Sequence, residues 1–135
     1  MPSSRSIAFT EVSSTSQARQ VSGISLAVGT SDALRATIAQ QVPGATVAAG
    51  RVTVAVFQGQ QSTGGYAVRI KAIERRGDQL VVHATFGAPG PGAIVTQVLT
   101  SPAHVVSIAA ADATGLRVAI LVDDSGAEMA RINTT

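Results

Sequence analysis

A chain of 135 residues with 45% hydrophobic side chains suits one globular core and is too apolar for disorder. Aromatics amount to only 3%, so Val, Ile, Leu and Ala must build that core, which favours many short strands. The net charge of +2 comes from nine Arg and one Lys against eight acids, and with no cysteine the chain has no disulfide, thiolate nucleophile or Cys-ligated zinc.

Residues 1–22 are rich in Ser and Thr and hold one short apolar run, Ile7-Ala8-Phe9, read as a first strand; Ser13 to Gln20 reads as a flexible connector. No apolar segment follows the first residues, so no signal peptide is expected in this sequence. Residues 23–135 read as a single domain. Ile24 to Val28 alternates and predicts a second strand. Thr30-Ser31-Asp32 then supplies a cap and an acidic first turn for a short helix over Ala33 to Gln41. Leu34, Ile38 and Val42 share one face of that helix, and Pro43-Gly44 ends it.

Everything after Arg51 reads as β. Val52 to Phe57 is a strand. Tyr66 to Ile73 is another, with Tyr66, Val68 and Ile70 inward and Arg69 and Lys71 in water. Arg76-Gly77-Asp78 signals a hairpin turn, and Leu80, Val82, Ala84 and Phe86 continue the buried face on the return strand. The two prolines of Ala88-Pro89-Gly90-Pro91-Gly92 cannot donate to a ladder and break the pattern. Further strands are predicted over Ile94 to Leu99, Val105 to Ala110 and Leu116 to Val122. A turn at Asp123-Asp124-Ser125-Gly126 leads to a last strand, Ala127 to Ile132. The expected fold is mainly β with one short helix (α+β), an antiparallel β sandwich or partly open barrel.

No catalytic constellation emerges, and the chain is expected not to be an enzyme and to need no cofactor. His83 and His104 are the only histidines, and nothing in their spacing brings them to Asp123-Asp124 as a metal site; His83 reads as an exposed or half-buried strand residue. No serine sits in a G-x-S-x-G elbow. The glycine-rich stretch from Gly59 lacks G-K-[ST] and leads into a strand, so it is not built to cradle phosphate. The arginines are scattered and lack an aromatic platform, so no nucleic-acid partner is expected. No run reaches the roughly 18 apolar residues that a membrane-spanning helix requires.

Two loops remain as candidate partner-binding elements. The first is Gln61, Ser62, Thr63, Gly64, Gly65 and Tyr66, where paired glycines permit unusual backbone angles and close approach, and Tyr66 offers an anchoring ring. By alternation Tyr66 also belongs to the inward set, which leaves its ring open to either role. The second is Pro89, Gly90, Pro91 and Gly92, between strands.

The stretch from Phe57 through Thr63-Gly64-Gly65-Tyr66 to Val68 resembles the G-x-x-x-T-G-G-Y-x-V signature of the PrcB family, protease complex subunits and their relatives. The hairpin strand Leu80 to Phe86, the Pro89 to Gly92 segment and Thr100-Ser101-Pro102-Ala103-His104-Val105-Val106 follow in the family's order. Relatives commonly carry Pro where Ser62 stands, and they are typically exported or envelope-associated. The resemblance implies a non-catalytic module that binds a secreted protease and helps to stabilise it.

Thr63 to Tyr66 is also similar to the T-T-G-Y loop of chagasin-type protease inhibitors, with Gly64 in place of the second Thr and no following Trp. That similarity implies inhibition as the alternative. A further alternative is a self-associating structural domain of the envelope, since a mean hydropathy of +0.30 is high for a small monomer.

Overall fold

The computed structural model describes residues 4–18, 23–42 and 50–134. Two sheets face one another and do not close into a barrel. The larger contains β1 (Ser4–Ile7), β5 (Ala67–Arg76), β6 (Gln79–Gly87), β8 (Val118–Val122) and β9 (Glu128–Asn133), in the order β1-β5-β6-β8-β9. The smaller contains β2 (Phe9–Thr15), β7 (Ala103–Ala109), β4 (Arg51–Phe57) and β3 (Ser25–Gly29), in that order. The expectation of a mainly β sandwich with one helix therefore holds.

The apolar residues face one another between the sheets. Val52, Val54 and Val56 from β4 and Val106 and Ile108 from β7 meet Val68, Ile70 and Ile73 from β5 and Leu80, Val82 and Ala84 from β6. This is the alternation that the sequence displays. The strand β4 is also buried on its outer side, where Ala55 and Phe57 join Ala103, Val105, Ile38 and Val42 in a second cluster. Helix α1 (Asp32–Gln41) covers this cluster. The Ser31 hydroxyl accepts from Leu34 N–H at the helix start, as the cap predicts, and Val42 N–H closes the last turn on the Ile38 carbonyl. Ile38 and Val42 are buried, whereas Leu34 is exposed; Pro43-Gly44 lies outside the described residues.

Two turns form as expected. Gly77, at φ 61°, and Asp78 join β5 to β6. Asp123 Oδ1 accepts from Ser125 N–H, the Ser125 hydroxyl and Ala127 N–H, which fixes the turn between β8 and β9.

Four features differ from the expectations. Ile7-Ala8-Phe9 is not one strand: Ile7 ends β1 in the larger sheet, Phe9 opens β2 in the smaller, and the chain crosses between them at Ala8. Ser13 to Thr15 continue β2 instead of starting a connector, because their backbone pairs with Val105, His104 and Ala103 of β7. Their polar side chains suit an edge strand. Ile94 to Leu99 is not a strand. Both neighbours of β6 are already strands (β5 and β8), and β7 lies between β2 and β4, so no ladder position remains beside the two strands that it connects. Finally, one pairing is parallel, β6 with β8. The chain between them crosses once to the smaller sheet as β7 and returns through a 3-10 turn (Ala110–Ala113), so β8 runs in the direction of β6.

Candidate functional site

The loop from 58 to 66, between β4 and β5, and the segment from 88 to 102, between β6 and β7, leave the same end of the sandwich. The structure brings them together along their length. Gln58 anchors the first loop, its N–H donating to the Pro102 carbonyl at 2.9 Å and its side-chain amide to the Gly87 carbonyl at 3.0 Å. Gln61 and Thr100 then exchange both backbone hydrogen bonds, at 2.7 and 2.9 Å. The Thr100 hydroxyl donates to the Thr63 carbonyl at 2.8 Å, and Gly64 N–H donates to the Thr96 carbonyl at 2.9 Å. The next residue, Ser101, is held from the other side, since its N–H donates to the Ser16 carbonyl and Ala18 N–H donates to its carbonyl.

This contact explains the paired glycines. A Cβ on Gly64 would overlap Thr96 Oγ1. Gly65 has φ +90°, and a Cβ there would stand 3.0 Å from both Pro89 Cβ and Val95 Cγ1. Close approach is therefore needed, but what approaches is the chain's own second segment. Pro89 thus touches the first loop, while Gly90, Pro91 and Gly92 form an exposed turn in which Ala93 N–H donates to the Gly90 carbonyl. Ser62 is exposed; Gln61, Thr63 and Tyr66 are half-buried. Tyr66 sits one residue before β5. Its intermediate exposure contrasts with Val68 and Ile70, both fully inside.

The joined loops form a ledge with two properties. No Asp, Glu, Lys or Arg occurs in 58–66 or in 87–103. Three large aliphatic side chains nevertheless face water there: Ile94 completely, Leu99 at 61% and Val98 at 53% exposure. Reading 94–99 as a strand hid these residues. The available signal was the absence of charge over seventeen residues bounded by Gly/Pro on one side and Pro102 on the other.

The two histidines lie on different sheets. His83, on β6, is half-buried and meets Glu74 across the hairpin, 2.5 Å away. That bond, with Arg76 nearby, holds the Glu74 carboxyl below the ordinary glutamate value. His104, on β7, faces into the sandwich. Its Nδ1 accepts from Ile70 N–H of the opposite sheet at 2.8 Å, and its Nε2 meets Glu11 Oε1 of β2 at 2.8 Å. Because Nδ1 is an acceptor, the imidazole proton resides on Nε2 and is donated to Glu11. Both ring nitrogens are thereby used in joining β2, β7 and β5. Among the described residues no group of three or more His, Cys, Asp or Glu could hold a metal ion, and no helix is long and apolar enough to cross a membrane.

Residues 52–109 match the family model described as PrcB C-terminal. The resemblance read from the sequence therefore holds over β4, β5, β6 and β7, two strands from each sheet, together with both loops of the ledge. The match spans a little under half of the chain. No curated protein and no solved structure matches the chain significantly.

Proposed function

We propose that this chain, PrcB-like over residues 52–109, is a non-catalytic protein-binding module that serves as an accessory, stabilising subunit of a protease complex. The observation that carries this reading is the ledge. The family-matched segment folds its two loops against each other and leaves Ile94, Val98 and Leu99 in water on an uncharged rim. Fully burying such side chains stabilises an association by about 1.5–3 kcal/mol each. A rigid sandwich with loops pinned by backbone hydrogen bonds loses little entropy on docking.

The reading is tested by affinity capture from the native cell extract with the wild type and with the triple variant Ile94→Ser, Val98→Ser, Leu99→Ser, followed by an activity assay on the eluate. An active protease held by the wild type and lost by the variant is the expected result. A captured but inactive protease would replace the accessory role by inhibition. Recovery of the chain alone from both would sink the protease link and leave self-association.

A further inference from the structure

Strand β5 is covered on one side by β6 along its whole length, but β1 covers only its lower half. The β1 register ends at Ile7 opposite Ile73, and after Ala8 the chain crosses to the other sheet as β2. Residues 67–72 thus have a single strand neighbour, and the ladder shifts register between Ile70 and Ala72. The uncovered edge borders a groove of about 460 Å³, lined by Phe9, Glu11, Arg69, Ile70, Lys71 and His104. Ile70 directs its N–H away from β6 to His104, and by strand alternation Val68, two residues earlier, presents its N–H and carbonyl to the same side.

The charges in this groove are unequally satisfied. Glu11 is tied to His104, and Lys71 is paired with Asp124 at 3.0 Å. Arg69 is exposed and forms no ion pair or hydrogen bond among the described residues. A second copy pairing along this edge would bring the Arg69 and Lys71 cations of both chains together, which is unfavourable. A carboxylate opposite Arg69 meets no such repulsion, while the Glu11 carboxylate lines the other side of the groove.

We propose that the groove between β2 and the upper half of β5 accepts an extended acidic peptide segment as an added strand. Its backbone pairs with Val68, and a carboxylate lies opposite Arg69. The free oxygen of Glu11, whose side chain is 65% exposed, accepts from a donor on the peptide's other face. This surface lies on the side of the sandwich and does not depend on the loop ledge.

The test uses three blocked pentapeptides, acetyl-Thr-Val-Glu-Val-Thr-amide and its Lys and Gln counterparts at the centre, titrated into the full isotope-labelled chain. Nuclear magnetic resonance reports the site and the affinity. The Glu peptide is expected to bind about tenfold more tightly than the Lys peptide. It should shift the amides of 67–72 and slow exchange at Val68. Arg69→Glu, at an exposed position, should invert the preference, and the Ile94, Val98, Leu99 triple variant should bind as the wild type does. Equal affinity for all three peptides, no response at 67–72, or a response confined to 88–102 would overturn the proposal. Protection of 67–72 that rises with the chain's own concentration, without peptide, would assign the edge to a second copy and overturn it too.

Discussion

Gly64 and Thr96 meet where the two loops cross: the Gly64 N–H donates to the Thr96 carbonyl at 2.9 Å, and a Cβ on Gly64 would overlap the Thr96 hydroxyl. The motif glycines therefore shape the ledge from within. Gly64→Ala should destabilise the fold by about 1–3 kcal/mol, the usual cost of overpacking. Thr96→Ala, at an exposed position, should change little alone and recover much of the loss in the double variant. Urea denaturation of the four proteins checks this; additive effects within about 0.5 kcal/mol would rule the contact out as the cause.

His104 joins three strands of two sheets, and its loss leaves Ile70 N–H without an acceptor inside the sandwich. His104→Ala should cost at least the about 1–3 kcal/mol of an unpaired buried donor. Glu11→Gln keeps an oxygen for Nε2–H and should cost less. Hydrogen exchange at the Ile70 amide should accelerate in the first variant and remain slow in the second.

The Glu74 carboxyl is held below its ordinary value of 4.5, first by the hydrogen bond with His83 and further by the charge of Arg76. The unfolded chain therefore takes up this proton at a higher pH than the folded one. The stabilisation is complete above the ordinary value and is lost as the pH falls through it toward the folded-state value. Glu74→Gln should flatten that part of the profile of melting temperature against pH. An unchanged slope below pH 4.5 in the variant would contradict this assignment.

Tyr66 precedes β5 and is half-buried, whereas Ile70 is 2% exposed. Tyr66→Ala should therefore destabilise less than Ile70→Ala, for which truncation in a core costs about 2–5 kcal/mol. Its larger effect should fall on partner binding. Thermal melts of both variants, beside a binding measurement on Tyr66→Ala, decide between an anchor at the ledge and a structural ring.

Much of the fold was legible where local chemistry and tertiary placement agree. The Ser31 cap, the alternation of Leu80, Val82 and Ala84, and the turns at Gly77 and Asp123 each have one structural use. What was not legible depended on competition for neighbours. Ile94 to Leu99 has the β-branched composition of a strand, yet every ladder position beside β4 and β6 is taken by another strand. Ser13 to Thr15 looks like a linker because an edge strand carries polar side chains. The parallel register of β6 and β8 follows from an excursion through the second sheet that no local pattern records.

The candidate loops were legible as Gly- and Pro-rich breaks carrying a family motif. Their mutual contact was not, because every hydrogen bond in it ends on a backbone carbonyl: those of Gln61, Thr63, Gly87, Thr96, Thr100 and Pro102. The role of His104 was hidden for the same reason: its acceptor bond goes to a backbone N–H of Ile70, which no side-chain pattern encodes.

We propose the uncharged ledge as the docking surface of a protein-binding module. Its most direct test is the affinity of the captured protease, measured by titration calorimetry, for the wild type and for the triple variant Ile94→Ser, Val98→Ser, Leu99→Ser, with melting curves of both chains. The triple variant should lose affinity about 100-fold or more, roughly 2.7 kcal/mol, with melting temperatures unchanged. Equal affinity in two equally stable chains would contradict it.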